Sequence, residues 1–112
     1  MEIVVTRTAE KDLKELPGFV KETFLNKKAE AEKNIDMGEA SMVFDKYLSG
    51  SMHPVLQMNL GRNYRAWFIE GKYVEKLDGN KIFTWRVLSK KEAKKIVRKI
   101  RDPIRLFEHS YE

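Results

Sequence analysis

Three arginines stand where phosphate chemistry could be done. Arg62 and Arg65 flank the start of an alternating apolar run, and Arg86 projects from a second such run. A guanidinium donates to two oxygens at once and stays charged at every relevant pH, which suits phosphate oxygens. If the two runs pair as strands, Arg65 and Arg86 can share one sheet face within reach of a single phosphate. The competing role is an ion pair with Glu70, Glu75 or Asp78. Further on, Lys90, Lys91, Lys94, Lys95, Arg98, Lys99 and Arg101 crowd a stretch whose one acid is Glu92. A face that serves only solubility mixes both signs, so this one fits a polyanion, RNA above all. Trp67, Trp85 and Tyr64 lie between these cations. Such aromatics fill cores and sheets more often than they stack on bases.

The charge is segregated along the chain. Residues 1–60 carry 8 Lys/Arg against 10 Asp/Glu, whereas residues 61–112 carry 14 against 7. A surplus confined to one half makes a directional field that can steer a phosphate-rich partner. Other chemistries lack their residues. With no cysteine, disulfides, thiolate metal sites and cysteine nucleophiles are excluded. The two histidines, His53 and His109, lie far apart and neither has a ligand at helical or hairpin spacing, so no metal site is expected. No glycine-rich phosphate loop or nucleophile elbow is present, and no cofactor is implied. The opening MEIVVTRTAE has three consecutive apolar residues and then charges, which fits neither a signal peptide nor a membrane span. A cytoplasmic protein with no membrane partner is the expectation.

These residues need elements to hold them. Glu2 to Thr6 read as a strand, and Thr8 as the cap of a short helix that ends at Pro17-Gly18. A second helix is predicted from about Phe19 to Ile35, burying Val20, Phe24 and Ala31, with Leu25, Ala29 and Ile35 widening the stripe, and closing at Gly38. Residues 36–53 carry no decisive signal. Val55, Met58 and Leu60 resume a strand, and Gly61-Arg62-Asn63 makes a turn. Tyr64 to Ile69 alternates, with Arg65, Trp67 and Ile69 opposite Tyr64, Ala66 and Phe68. After Gly71, Tyr73 to Leu77 could form a short strand and Asp78-Gly79 a hairpin turn. Ile82 to Leu88 is the last strand, with Ile82, Thr84, Arg86 and Leu88 opposite Phe83, Trp85 and Val87. Ser89-Lys90-Lys91-Glu92 is a complete capping box, which opens a helix over residues 89–101. Ala93, Ile96, Val97 and Ile100 cluster on one side of it. Asp102-Pro103 ends that helix, and Ile104, Leu106 and Phe107 can fold back onto the core. The class is α+β: a small twisted antiparallel sheet on an N-terminal helical hairpin, with an added basic amphipathic helix near the C-terminus. Residues 1–112 suit a single domain.

The stretch Ile3-Val4-Val5-Thr6-Arg7-Thr8-Ala9-Glu10-Lys11-Asp12-Leu13-Lys14-Glu15-Leu16-Pro17 resembles the opening of toxins of the RelE/ParE superfamily. There a short strand leads into a helical hairpin whose first helix ends near a Leu-Pro. Pro54 to Gly61 followed by Asn63-Tyr64-Arg65-Ala66-Trp67-Phe68-Ile69 is similar to the family's central hairpin. Ile82 to Leu88 with Ser89 to Ala93 is similar to its last strand and the basic residues after it. The likeness covers most of residues 2–93. It implies metal-independent endoribonuclease cleavage of messenger RNA, commonly on the ribosome, by a toxin neutralised by its cognate antitoxin. The chemistry is attack of a ribose 2′-hydroxyl on the adjacent phosphate, which needs a base, an acid and cations. By position, Arg65 and Arg86 would stabilise the phosphate, Lys90 or Lys91 would assist, and His109 or Tyr111 would transfer the late proton. Such toxins often end soon after the last strand, whereas here residues 89–107 intervene. Two alternatives belong to other classes: a non-catalytic nucleic-acid-binding module, and a ParE-like toxin directed at DNA gyrase.

Overall fold

A computed structural model describes residues 2–36 and 44–111 of the chain. Ile3–Val5 form strand β1, and Thr6 turns the chain out of it. The Thr6 hydroxyl accepts the Ala9 N–H at 3.2 Å and donates to the Thr84 carbonyl at 2.7 Å. Thr6, not Thr8, therefore caps helix α1 (Arg7–Glu15) and also pins it to the sheet. After Pro17, α2 runs from Gly18 to Asp36. It buries Val20, Phe24 and Ala31, but Leu25 is 46% exposed and Ala29 is exposed too, so the apolar stripe is narrower than expected. Polar atoms do part of the fastening instead. Lys27 donates to the Asn59 carbonyl at 2.6 Å, and Glu32 accepts the Ile3 N–H at 2.9 Å and Lys28 at 3.0 Å. The expected helix end at Gly38 and the apolar Met42 and Val43 lie outside the described residues.

Burial pushes the Glu32 carboxyl up, but the Ile3 N–H and Lys28 outweigh it and hold it below the ordinary 4.5. A carboxyl with a lowered folded pKa contributes stability above its unfolded pKa and loses it as pH falls through the folded value. Glu32→Gln should therefore cost about 1 kcal/mol at neutral pH. Urea titrations of both proteins should show that gap closing in acid.

Among the described residues the sheet has five strands in the order β1-β5-β4-β3-β2, with β2 at Lys46–Tyr47, β3 at Leu56–Asn59, β4 at Tyr64–Glu70 and β5 at Ile82–Ser89. The four later strands run antiparallel to their neighbours, but β1 joins β5 in parallel, so the sheet is mixed. Residues 73–77 add no strand. A tight helical turn at Gly71–Tyr73 and further turns connect β4 to β5. Gly71 is needed there, because a Cβ on it would stand 2.0 Å from the Asp78 carbonyl oxygen.

One irregularity in β5 changes the outcome of strict alternation. Trp67 pairs with Arg86 and Phe68 with Thr84, so Trp85 is an extra residue in a bulge. Beyond it the faces exchange: Val87 joins the core beneath α1 and α2, and Leu88 joins Phe83 and Trp85 on the opposite side. Both faces are covered. The first core gathers Leu13, Phe24, Met58, Ala66 and Phe68, and the second gathers Trp67, Ile69, Trp85, Ile100 and Phe107.

Two short helices close the second face. Ser89 accepts the Glu92 N–H at 3.1 Å and starts α3 (Lys90–Val97), as the capping box predicts. The helix stops at Val97, earlier than expected, because Ile100 turns inward and is buried. Asp102-Pro103 then opens a helix as well as ending one. The Asp102 carboxylate accepts the Arg105 N–H and Pro103 takes the first position of α4 (Pro103–Ser110). Phe107 is buried, whereas Leu106 stays 46% exposed. Among the described residues no helix is long and apolar enough to cross a membrane.

Candidate nucleic-acid interface

Helix α3 is held by few contacts, and they fix which way its cations point. Ala93 packs under it, and the Lys90 N–H donates to the Asn63 carbonyl at 2.7 Å, tying the start of α3 to the β3–β4 turn. Lys90, Lys94 and Arg98 then recur at intervals of four, which places them on one side of the helix. That side faces a cleft of about 530 Å³, bounded opposite by Lys46 of β2 and Arg65 of β4. Gln57, Trp67, Ala93 and Val97 complete the lining. Among the described residues, five cations and no carboxylate line this cleft. Among the described residues none of those five is in an ion pair.

Arg65 is aimed by backbone alone. Its guanidinium donates to the Tyr64 carbonyl at 2.8 Å and to those of Gly61 and Arg62 at 3.3 Å. Gly61 makes this possible by taking φ +76°, a left-handed turn that glycine adopts without strain. Neutral carbonyls orient the group without cancelling its charge. The floor is equally fixed: the Trp67 indole N–H donates to Gln57 at 3.2 Å, and the ring is 1% exposed. Trp67 and Trp85 are therefore core residues, packed 6.0 Å apart.

The arginine pair expected to share a phosphate is not brought together. Arg86 turns to α1, where its Nε lies 2.7 Å and its Nη2 3.1 Å from the Asp12 carboxylate. Its partner is thus neither Glu70, Glu75 nor Asp78. The same carboxylate accepts the Val87 N–H at 2.9 Å, at a point on β5 beyond the reach of β1. Arg86 does not line the cleft.

The remaining candidates divide into separate places. Lys91 joins Lys90, Lys94, Asn63, Tyr64 and Ser89 around an adjoining cavity of about 440 Å³. Arg62 is exposed on the β3–β4 turn, and Lys95 is exposed on α3. Lys99, Arg101, Arg105 and His109 line a third cavity, with Asp102 among them. Tyr111 is half-buried, edge-on to Phe83 at 5.4 Å and stacked on Phe107 at 5.5 Å. Neither His109 nor Tyr111 lines the cleft that holds Arg65. Among the described residues no three acidic or histidine side chains gather closely enough to hold a metal ion.

Three contributors escape the sequence. Lys46 lies in the stretch without decisive signals, and Gln57 matters only through Trp67. Asp12 is 74 positions from Arg86, and nothing local marks it. Tyr47, beside Lys46, carries a phenol that burial and then hydrogen bonding to Glu70 hold well above its ordinary range. The arrangement can grip a phosphodiester backbone and stabilise negative charge that grows on a phosphate.

No protein-family model matches the chain, and no curated protein matches it in sequence. Among solved structures, a copper-bound mutant toxin from Helicobacter pylori matches 82% of this chain and 97% of its own, with a TM-score of 0.52 and 13% identity. At that identity the likeness establishes a shared fold.

Proposed function

We propose that the chain is a toxin-like protein that acts on RNA, and that it cleaves message as a metal-independent endoribonuclease of the RelE kind. The observation that carries this reading is the cleft between α3 and the sheet, where the described residues supply five cations and no carboxylate. The fold shared with a toxin supports it further. Arg65 stabilises charge on the scissile phosphate, while Lys90, Lys94 and Arg98 hold the backbone on either side. Arg86 acts as a positioning residue, because its charge is spent on Asp12. The ribosome presents the message, and a cognate antitoxin covers the cleft until the toxin is released in the cytoplasm.

A second reading has its own support. His109 and Tyr111, the groups offered for proton transfer, stand outside the cleft. A module that binds RNA without cutting it needs neither.

In-vitro translation with primer extension on the message separates the two. Ribosome-dependent cuts are expected from the native chain. Arg65→Ala should slow them by about a hundredfold or more, the usual loss when one charge-stabilising donor is removed. Uncut message with RNA binding intact would favour the binding module. Inhibition of DNA supercoiling without RNA binding would favour the gyrase-directed branch.

A further inference from the structure

Phe19 opens α2 with its ring 60% exposed, more than any other large hydrophobic side chain among the described residues. Neighbouring Val20 is buried at 1%, so α2 packs the sheet without it. The Phe19 ring nonetheless has a set orientation: it meets Tyr64 edge-on, with centroids 5.7 Å apart and planes at 78°. Tyr64 in turn pairs with Ser89 at the start of α3 and lines the 440 Å³ cavity that also holds Asn63, Lys90 and Lys91. An exposed, oriented aromatic ring therefore stands against Tyr64, which lines a cavity that among the described residues holds three lysines and no carboxylate. Lys90 and Lys94 belong to this cavity and to the main cleft alike, so the two adjoin.

We propose that Phe19 and Tyr64 form a nucleobase subsite, which takes one unpaired base of single-stranded RNA against the Phe19 ring while Lys90 and Lys91 hold the neighbouring phosphates. The inference rests on the RNA reading of the cleft and adds to it the kind of RNA. A solvent-exposed ring can receive a base only if that base is unstacked, and the bases of a duplex are not. Stacking is tolerant of base identity because every base has a π-face. The exposed Asn63 amide at the cavity offers one acceptor and two donors to a base edge, which adds a modest sequence preference.

Fluorescence anisotropy with three labelled RNAs tests this: a short single strand, an abasic strand of equal length, and a duplex. Phe19→Ala should weaken the single strand by about tenfold, leave the abasic strand and the duplex unchanged, and keep the salt dependence. Phe19→Trp should restore the affinity. Because the ring is exposed, neither change threatens the fold, and a thermal melt verifies that. Equal weakening on all three RNAs, or none on any, overturns the subsite; in the second case the exposed ring is left for a protein partner. The paired reversal Lys90→Glu with Lys94→Glu tells the two readings apart. If it abolishes binding while Phe19→Ala does nothing, the base subsite fails and the cleft stands. If binding survives it, or native chain binds no RNA, the cleft reading fails and the subsite falls with it.

Discussion

Lys90→Glu combined with Lys94→Glu should weaken single-stranded RNA binding by more than about a hundredfold at physiological salt, with a smaller loss as salt rises. Both lysines line both halves of the cationic surface, so no other pair removes as much of it. Each cation that neutralises a phosphate on a single strand contributes about 0.7 to the slope of log affinity against log salt. The double reversal should therefore flatten that slope by about 1.4 before any repulsion from the new carboxylates is counted. The fold should tolerate it. Both side chains are exposed, and at position 90 a carboxylate in the first turn of α3 is favourable for the helix. The carboxylate at position 94 would face Arg98 one turn on, and that attraction offsets the like-charge repulsion it meets from position 90. Anisotropy titrations over a range of potassium chloride read both quantities. Unchanged affinity with an unchanged slope would move the interface to the other cationic cluster, around Lys99, Arg101 and Arg105.

Asp12→Ala should cost about 3 kcal/mol of folding stability, seen as a melting temperature lower by roughly 10 °C. One carboxylate, 12% exposed, accepts from Arg86 Nε, Arg86 Nη2 and the Val87 N–H. Truncation leaves a half-buried guanidinium and a strand-edge N–H without an acceptor, and that penalty exceeds the worth of an exposed pair. Asp12→Asn keeps an acceptor for one of them and should lose about half as much. Urea denaturation with an unchanged m-value would read these as stability differences. A loss below about 0.5 kcal/mol would mean that water already satisfies Arg86, leaving its charge available to a ligand. The result bears on function too, since Arg86→Ala would then impair activity by unfolding α1 from β5 or by removing a phosphate contact, and only the first lowers the melting temperature.

Local signals gave the elements they govern. Alternation marked Tyr64 to Ile69 with its faces correctly divided, and the Ser89 capping box marked the start of α3. Other features depend on distant partners and leave no local trace. β-branched side chains say that Ile3 to Val5 are extended, but not that they pair in parallel with Ile82 to Thr84. The extra residue at Trp85 looks like ordinary alternation until the partner strand is placed, and it exchanges the faces of Val87 and Leu88. Asp102-Pro103 reads as a stop, and here it is a start as well. The basic surface was legible because lysines on exposed positions of a helix need little tertiary knowledge. The pairing of Arg86 with Asp12 was not, for the opposite reason.

The parallel docking of β1 has a consequence for the order in which the molecule can be made. The Thr6 hydroxyl bonds a carbonyl 78 positions downstream, so the first strand has no neighbour until nearly the last strand exists. Chains emerge at roughly 5–20 residues per second, which leaves β1 and the helical hairpin waiting several seconds with Leu13, Val20 and Phe24 uncovered. Closing so long a loop delays the contact more than it weakens it. The β3–β4 hairpin, closed by a short turn at Gly61, can form at once and offers the template on which β5 arrives. Assembly is thus expected to run from the middle of the chain outward, with β1 docking only once β5 is in place.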